Sequence, residues 1–361
     1  MKNLNKVAEK IKEAESIVLY TDSDLDGVTS GLIAKKTLEQ IGKKSSIFFT
    51  NKEDRGYGLG VESVEMISDE APGLLITMDC GISDFEGVKI AKEKGFDVII
   101  LDHHKPHERV PEASVLVCPK LFDDEFKERP NAGIILELSE ILLGEKKPEF
   151  IELTALAIFG DMMPHEGPNA EVLFEAKSNF PATCGTEAFM KIMNLEEPLS
   201  LFQEMSPILN VTKMVSGTPE AFLFFLTKET EYAKGIAQKM INDYKERKEK
   251  VEKIKNSLLK EQGDEEIVFA GNGEWPSFIL GKIASQLVSE LDKPVFVYRT
   301  KGDIAQGSVR VPKGIDAVEA MKSAEDLLEN YGGHPPAAGF TIKIENLEEF
   351  ESKLISYFKN R

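Results

Sequence analysis

Short, continuous apolar segments alternate with helical patterns along the first 120 residues. The apolar segments occupy residues 16–21, 45–50, 73–78, 96–101 and 114–117. Residues 28–41, between the first two segments, carry apolar side chains at helical spacing. Apolar runs without polar alternation are typical of strands buried on both faces, which predicts a parallel sheet covered by helices. Right-handed crossovers then produce an open, doubly wound α/β sheet, whose chemistry lies at the carboxyl ends of the strands.

The middle of the chain is helical in pattern and becomes more polar towards its end. Residues 131–161 predict two helices interrupted at 144–148, and residues 166–227 predict several more. Residues 229–262 predict a single long helix with a narrow apolar stripe, spanning about 50 Å. A helix this polar is expected to bridge two bodies.

A second, smaller α/β pattern follows this helix. Apolar segments predict strands over residues 266–270, 294–298, 304–311 and 339–344. Helical spacing predicts helices over residues 277–291, 316–330 and 347–358, with a glycine-rich turn at 331–339. We therefore predict three parts: an N-terminal parallel-sheet domain with a helical extension (1–227), a linker helix (228–264) and a C-terminal α/β domain (265–361).

The composition is typical of a globular protein, but the net charge is strongly negative. Of the 361 residues, 42% are hydrophobic and 29% are charged, and the formal net charge is −18. This acidity argues against nonspecific binding to long nucleic acid. No apolar run approaches the roughly 20 residues that cross a bilayer, which predicts no membrane contact. The three cysteines show no metal-pair spacing or disulfide framework, so we expect a cytoplasmic location.

The first candidate site follows the first predicted strand, as Asp22-Ser23-Asp24-Leu25-Asp26-Gly27. Three carboxylates at alternate positions repel one another unless a cation compensates their charge. The alternative is a solvated turn in which Asp26 caps the next helix. A calcium loop of the D-x-D-x-D-G type is excluded, because Ile33 stands where that loop needs a glutamate.

Further acidic and imidazole side chains follow the third and fourth predicted strands and a later helix. Asp79 ends the third strand, Asp102-His103-His104 ends the fourth, and Asp161 follows the apolar helix that ends near residue 160. Alone, Asp79 is a weak signal and Asp161 is explained as a helix terminus, whereas Asp102-His103-His104 is a stronger signal than its alternative, a surface loop with incidental histidines. Together they converge on one rim of the predicted sheet.

The combination of ligands indicates a pair of cations. Mixed carboxylate and imidazole ligands suit Mn²⁺, with Mg²⁺ as the second choice, and about six ligands are too many for one ion. A pair of divalent cations bridged by a carboxylate is a common arrangement for hydrolysing phosphoryl esters. We therefore expect a two-metal site.

The second candidate site lies near the C-terminus. Gly332-Gly333-His334 falls in the predicted small-residue turn, where successive N–H groups can form an anion-binding nest. Arg310, with Ser308 beside it on a predicted strand, could hold a phosphate. The alternatives are a helix cap at Gly332, a rigid proline turn and an ordinary exposed arginine.

Taken in order, these motifs resemble those of the DHH phosphoesterase superfamily. Asp102-His103-His104 is similar to its naming motif, Asp22–Gly27 to the first motif, Asp79 to the second and Asp161 to the fourth. The segment 332–339 resembles the signature of the DHH-associated C-terminal domain. Residues 55–59 and 79–82 resemble RecJ-type nucleases, and the short chain looks like the archaeal type. One departure is Tyr20, which stands where many members have a metal-binding histidine.

The resemblance implies a metal-dependent exonuclease that releases mononucleotides from single-stranded DNA, or RNA, by a two-metal mechanism in DNA repair or replication. It implies that two divalent cations are held by Asp22 and Asp24 on one side and by Asp26, His103 and Asp161 on the other, with Asp79 bridging. His104 would contact the scissile phosphate and Asp102 would orient an imidazole. The strand would be bound by Ser308, Arg310, Gly332, Gly333 and His334.

Two other functions stay open at this point. One is a phosphodiesterase for short oligonucleotides or cyclic dinucleotides, which shares the site and fits the overall acidity. The other is a non-catalytic adaptor for a replication or repair protein partner, although the presence of every metal ligand argues against it.

Overall fold

The computed structural model describes residues 1–51, 58–122, 126–211, 213–261, 263 and 265–359. The chain divides into two compact units, Met1–Asn242 and Asp243–Arg361. The three-part division predicted from the sequence, with boundaries at 227 and 264, stays a prediction. Among the described residues, no helix is both long enough and apolar enough to span a membrane.

The N-terminal unit is built on a five-stranded parallel sheet, as predicted. The strands are β1 (Ile17–Thr21), β2 (Ser45–Phe49), β3 (Gly73–Met78), β4 (Phe96–Leu101) and β5 (Val115–Val117). Their order in the sheet is β2-β1-β3-β4-β5, and every neighbouring pair is parallel. All of β1 is buried, as is all of β3 after its first residue. The continuous apolar runs therefore form a sheet with both faces covered.

Helices cover the two faces of this sheet. The helices described in this unit are α1 (Leu4–Glu13), α2 (Leu25–Gln40), α3 (Val61–Met66), α4 (Phe85–Glu93), α5 (Asn131–Leu143), α6 (Pro148–Gly160), α7 (Gly167–Ser178), α8 (Cys184–Met193), α9 (Pro198–Leu209) and α10 (Glu220–Phe225), of which α6 packs on α2 and α5, and α7 and α9 pack on α6. A short hairpin, β6 (Met214–Val215) and β7 (Thr218–Pro219), precedes α10. Side chains of α3 and α4 pack on one face, against Val18, Leu75 and Val98. Helices α2 and α5 pack on the other.

One residue near the end of β1 belongs to the core rather than to the reactive edge. Tyr20 is fully buried on the face covered by α3 and α4. Its hydroxyl lies 2.8 Å from Ser63 Oγ and 3.1 Å from the carbonyl oxygen of Gly58. Tyr20, where the sequence departs from the superfamily pattern, therefore packs in the interior. Asp22, two residues later, is the first acidic side chain after the strand.

A single long helix, α11 (Thr230–Glu261), runs through the boundary between the units. Its 32 residues extend about 48 Å, in agreement with the predicted helix over 229–262. Met240 and Ile241 are buried in its N-terminal part and Val251 in its C-terminal part. The remaining positions are mostly polar, as the narrow apolar stripe requires.

The C-terminal unit contains a five-stranded mixed sheet. The strands are β8 (Val268–Gly271), β9 (Val295–Lys301), β10 (Ile304–Arg310), β11 (Leu328–His334) and β12 (Ala337–Lys343), in the order β11-β12-β10-β9-β8. Strands β8 and β9 are parallel and the other pairs are antiparallel. Helix α12 (Ser277–Leu291) and the end of α11 pack on one face. Helices α13 (Ala317–Lys322) and α14 (Leu347–Lys359) pack on the other.

The predictions of a helix over 316–330 and a glycine-rich turn over 331–339 are wrong in part. Helix α13 ends at Lys322, and β11 and β12 form a hairpin with Pro335-Pro336 at its tip. Leu328 and Tyr331 pack against the core under α14, which helical continuation would not allow. Gly333 has φ 146°, and a Cβ there would lie 2.5 Å from the carbonyl oxygen of Ala337. Only glycine fits this position.

Candidate metal centre

Three neighbouring strands of the N-terminal sheet end in acidic or imidazole side chains. Asp22 follows β1, Asp79 follows β3, and Asp102 and His103 follow β4. Because these strands are adjacent and parallel, their carboxyl ends meet at one edge of the sheet. The structure brings the side chains together there, at the place where open α/β sheets bind ligands.

Seven side chains from these ends and from two helices form three overlapping groups of potential metal ligands. Within each group, one ligand atom per residue lies within 4.8 Å of the others. The groups are Asp22, Asp24 and Asp79; Asp26, His103 and Asp161; and Asp79, His103 and His104. Asp79 and His103 each belong to two groups, so they occupy the middle of the cluster.

The contact between Asp79 and His103 tests whether this cluster suits a cation. Asp79 Oδ1 and His103 Nε2 lie 3.1 Å apart, and both atoms are buried. Neither has a hydrogen-bond partner among the described residues. Burial, reinforced by Asp26 and the other carboxylates nearby, raises the pKa of Asp79 well above its usual value. Two buried acceptor atoms that face each other need a proton or a cation between them, so the donor set fits a divalent metal ion.

The protonation state of His103 is set from its other side. Nδ1 lies 3.0 Å from the carbonyl oxygen of Arg129, which can only accept, so Nδ1 carries the hydrogen. Burial, followed by the neighbouring charge of His104, lowers the pKa of His103 to about 4. The ring is therefore neutral at physiological pH and presents an unprotonated Nε2 to the cluster, as a metal ligand requires.

Asp26 is held by the start of another helix. Its two carboxylate oxygens accept hydrogen bonds from the N–H groups of Asn131 (2.6 Å) and Ala132 (2.8 Å), at the N-terminus of α5. Burial, and then the charge of Asp161, nevertheless raises the pKa of Asp26 well above its usual value. Asp161, immediately after α6, has its Oδ2 3.5 Å from His103 Nε2. These positions place both carboxylates around one imidazole nitrogen.

The turn after β1 is tighter than the sequence predicted, since α2 begins at Leu25 rather than near residue 28. Asp24 caps this helix by accepting a hydrogen bond from the N–H of Gly27 (3.1 Å), so Asp24 has the capping role that we considered for Asp26. Asp22 is buried and accepts from Thr50 Oγ1 (2.5 Å) and from the N–H of Ser23 (2.6 Å). A Cβ at Gly27 would lie 2.3 Å from the carbonyl oxygen of Asp22. Glycine is thus required for the helix to start this close to the strand.

Asp102 and His104 form a pair beside the cluster. The side chain of Asp102 is buried and accepts from the Nδ1 and the backbone N–H of His104, both at 2.9 Å. Its second oxygen accepts from the N–H of Ile82 at 3.0 Å. Although burial opposes ionisation, these bonds to His104 lower the pKa of Asp102, and they raise the pKa of His104. Asp102 therefore orients His104, which is half-exposed, and is absent from the three ligand groups.

The backbone around the cluster contains left-handed conformations at residues other than glycine. Asp79 has φ 58° and Met162, next to Asp161, has φ 53°. Such conformations cost on the order of 1 kcal/mol each and are common at functional sites. At Gly81, where φ is 110°, a Cβ would lie 2.4 Å from Thr77 Oγ1. The turn after β3 therefore depends on a glycine two residues beyond Asp79.

Sequence analysis missed Asn131, which connects several parts of the site. The hydrogen-bond network assigns its amide oxygen to the Asp79 N–H (3.1 Å) and Ser30 Oγ (3.0 Å), and its nitrogen to the Leu101 carbonyl (2.9 Å). The side chain is fully buried. Asn131 thus links α5 to the ends of β3 and β4. An asparagine that opens an apolar helix carries no distinctive signal, because its partners lie far away in the sequence.

The second group of candidate residues lies in the C-terminal unit and forms a patch on one face of its sheet. The strand register pairs Arg310 with Ala337 and Ala337 with His334, and pairs Ser308 with Gly339 and Gly339 with Gly332. Paired residues in an antiparallel sheet point to the same face. Arg310 Nη1 donates to the Val309 carbonyl (2.8 Å) and Ser308 Oγ (3.2 Å).

The geometry predicted for the glycines is not the one observed. Gly332 and Gly333 lie in a paired, extended strand rather than in a turn, so they do not form a nest of successive N–H groups. Both are exposed, and a Cβ on Gly332 would meet nothing within 4 Å. The strand instead provides bare backbone beside His334. Of the segment 55–59, residues 55–57 lie outside the described residues, and the N–H of Leu59 donates to Asp84 Oδ2 at 2.6 Å.

Comparison with protein families matches both units of the chain. Residues 16–158 match the DHH family, N-terminal domain, and residues 264–360 match the DHHA1 domain. The single-stranded-DNA-specific exonuclease RecJ of Bacillus subtilis is 30% identical over 98% of this chain and 47% of its own length. RecJ of Thermus thermophilus is 29% identical over 97% of this chain and 53% of its own length. The chain thus spans about half the length of these curated relatives.

Solved structures show the same arrangement of elements. A crystal structure of exonuclease RecJ bound to manganese has a TM-score of 0.91 and 26% identity, covering 100% of this chain and 95% of that one. RecJ from Thermus thermophilus in complex with Mn²⁺ has a TM-score of 0.85 and 25% identity, covering 100% of this chain and 55% of that one. The expected fold class, an N-terminal parallel α/β sheet followed by a smaller C-terminal α/β domain, is confirmed.

Proposed function

We propose that the chain, whose residues 16–158 match the DHH family and whose residues 264–360 match the DHHA1 domain, is an exonuclease for single-stranded DNA that uses two divalent cations. The observation that carries the proposal is the buried contact between Asp79 Oδ1 and His103 Nε2, surrounded by four further carboxylates. This arrangement is unfavourable without compensating positive charge. The similarity of the chain to RecJ structures bound to manganese supports Mn²⁺ as the cation, and the oxygen-rich ligand set keeps Mg²⁺ as the second choice.

We assign the ligands by the groups that the geometry forms. Asp22 and Asp24 would hold one cation, Asp26, His103 and Asp161 the other, and Asp79 would contact both because it lies between the groups. When bound, two divalent cations activate water and neutralise charge on the phosphoryl oxygens. Together they would add about +4 among these carboxylates. The acidity of the N-terminal unit is therefore compatible with an anionic substrate.

His104 is the residue that we expect to contact the phosphate undergoing hydrolysis. Its Nδ1 bonds to Asp102, which leaves Nε2 as the second hydrogen-bonding group of the ring. That bond is the first cause of a raised pKa at His104, so it favours the protonated ring over the neutral one. A protonated imidazole beside the cluster can donate to a phosphoryl oxygen as negative charge develops. Asp102 acts as a positioning residue in this scheme.

Residues of the C-terminal unit would bind the nucleic acid strand. We assign phosphate contacts to Arg310 and His334, with Ser308 and the bare backbone of Gly332 and Gly333 allowing close approach. Arg310 has no ion pair with a carboxylate among the described residues, so its charge is available for an anionic ligand. A protein partner in replication or repair, and a cytoplasmic location, stay predictions.

The test is digestion of single-stranded DNA and RNA, labelled at the 5′ or the 3′ end, with Mn²⁺, Mg²⁺ or a chelator. We expect metal-dependent release of mononucleotides from DNA, lost in Asp79→Asn and His103→Ala. Asp69→Asn and His107→Ala, at exposed positions, are matched controls and should retain activity. The labelled end that is released first defines the polarity.

Two outcomes would replace the proposal. Turnover limited to strands below about five nucleotides, less than many single-strand sites span, would identify a phosphodiesterase for short oligonucleotides or cyclic dinucleotides. Absence of metal-dependent turnover on every substrate would identify a non-catalytic adaptor.

A further inference from the structure

An exposed aromatic ring begins helix α12 in the C-terminal unit. Phe278 is 53% exposed, whereas the next two residues, Ile279 and Leu280, are buried in the core that α12 shares with α11. The guanidinium carbon of Arg247, on α11, lies 4.1 Å from the centre of the Phe278 ring. One face of the ring is therefore covered by a cation, while more than half of the residue stays exposed.

Arg247 differs from two lysines of the same helix. Lys255 is bound by Glu252 and Glu290, and Lys239 is bound by Glu220. Arg247 has neither an ion pair nor a hydrogen bond among the described residues, and its charge interaction with Asp243 acts at longer range. Stacking on Phe278 thus holds the guanidinium in place without using its five N–H donors.

The ring is close to the arginine that we assign to phosphate binding. Gly281 follows Phe278 by one helical turn, so the two positions lie about 5–6 Å apart on the same side of α12. A Cβ on Gly281 would lie 3.2 Å from Arg310 Nη2 and 3.5 Å from Ser308 Oγ. Arg310 therefore rests against bare helix backbone, one turn from the exposed ring. Arg247 and Arg310 thus both lie near the Phe278 ring. Among the described residues, neither guanidinium is hydrogen-bonded to a carboxylate.

We propose that Phe278, backed by Arg247, is a stacking platform for a base of the single strand whose phosphate is held by Arg310. This inference rests on the proposed function and adds a contact that the metal centre and the phosphate ligands do not supply. Every base has a flat aromatic face, so such a platform binds without regard to sequence. The Arg247 guanidinium fixes the ring and adds positive charge next to the adjoining phosphate.

The experiment compares binding of two labelled strands of equal length and charge, oligothymidylate and an abasic strand, to the full chain in chelator. Phe278→Ala should weaken binding of oligothymidylate about tenfold and leave binding of the abasic strand unchanged. Phe278→Tyr should restore binding, and Phe278→Leu, which keeps apolar bulk, should not. Arg310→Gln should weaken binding of both strands. Phe174→Ala, which removes another exposed ring (74% exposed) in the N-terminal unit, is the matched control and should change neither.

The proposal is overturned if Phe278→Leu binds oligothymidylate as the wild type does, or if Phe278→Ala weakens binding of both strands equally. The first result would mean that only apolar bulk is needed, and the second that the ring merely holds α11 against α12. Thermal unfolding of each variant separates loss of binding from loss of structure. A wild-type chain that degrades single strands while Phe278→Ala binds them normally would refute the platform alone. A wild-type chain that neither binds nor degrades them would refute the proposed function.

Discussion

The two units place their candidate residues in opposite environments. In the N-terminal unit, Asp22, Asp26, Asp79 and His103 are almost completely buried, and each is fixed by backbone or side-chain contacts. In the C-terminal unit, Phe278 and His334 are exposed and Arg310 is half-buried, and the strand position that pairs with both Arg310 and His334 is an alanine. Carboxylates that are buried close together repel one another, and bound cations relieve this repulsion. An open surface with cations and an aromatic ring suits a mobile polyanion. The comparison predicts that catalysis and strand binding can be damaged separately.

The largest expected effect is on turnover. His103→Ala removes the central imidazole and should lower kcat/KM by about a thousandfold, equivalent to about 4 kcal/mol of transition-state stabilisation. Strand binding in chelator should stay within a factor of about two of the wild-type value. Single-turnover digestion and fluorescence anisotropy measure the two quantities, with His107→Ala as the control. An equal loss of strand binding would show that catalysis and binding do not belong to separate units.

The next effect concerns Asn131, which no motif predicts. Asn131→Ala removes the amide that orients the Asp79 backbone and should raise the Mn²⁺ concentration for half-maximal activity about 10- to 100-fold. Saturating Mn²⁺ should recover most of kcat, because the ligands themselves are intact. Metal titration of activity is the measurement, and Asn179→Ala, at an exposed helix end, is the control. An unchanged metal requirement would show that Asn131 only packs α5 against the sheet.

A smaller effect should follow from Arg310→Gln in the C-terminal unit. We expect KM for a single strand to rise about tenfold, the loss of one charge-assisted phosphate contact, while kcat is nearly unchanged. Initial rates over a range of strand concentrations would measure this. Arg299→Gln, on neighbouring strand β9, removes an arginine that already bonds to Gln306 and serves as the control. A fall in kcat would mean that Arg310 acts on the reacting phosphate rather than on the strand.

The smallest effect is on stability, and it depends on pH. Burial raises the pKa of Asp79, so this group stabilises the fold fully below its unfolded value of 3.8 and loses that contribution as pH rises through its folded pKa. Asp79→Asn should therefore raise the unfolding midpoint in chelator by a few degrees near pH 8, with a difference that shrinks towards pH 4. Mn²⁺ should stabilise the wild type more than the variant. Asp69→Asn should show neither effect, and a lower midpoint for Asp79→Asn in chelator would contradict the prediction.

The N-terminal sheet and its reactive edge follow from local patterns in the sequence. Continuous apolar runs such as 73–78 and 96–101 encode buried parallel strands locally, and in a parallel sheet the residues after each strand meet at one edge. Asp79 and His103 could therefore be expected to lie together before any coordinates were known. The predicted helix over 316–330 is correct up to Lys322 and wrong beyond it for the converse reason: helical propensity is local, but the strand pairing of Leu328–His334 depends on β12 and the core beneath it.

The partners and orientations of individual side chains depend on the tertiary fold. It gives Asp24 the cap of α2 and places Asp26 on the N-terminus of α5, 105 residues away. It turns Asp102 towards His104, and it stacks Arg247 on Phe278 across two helices. Sequence patterns indicate which residues are buried and where strands end, because both depend on the spacing of apolar residues over a few positions. Orientation, protonation and pairing arise from contacts between distant segments, and these exist only once the chain has folded.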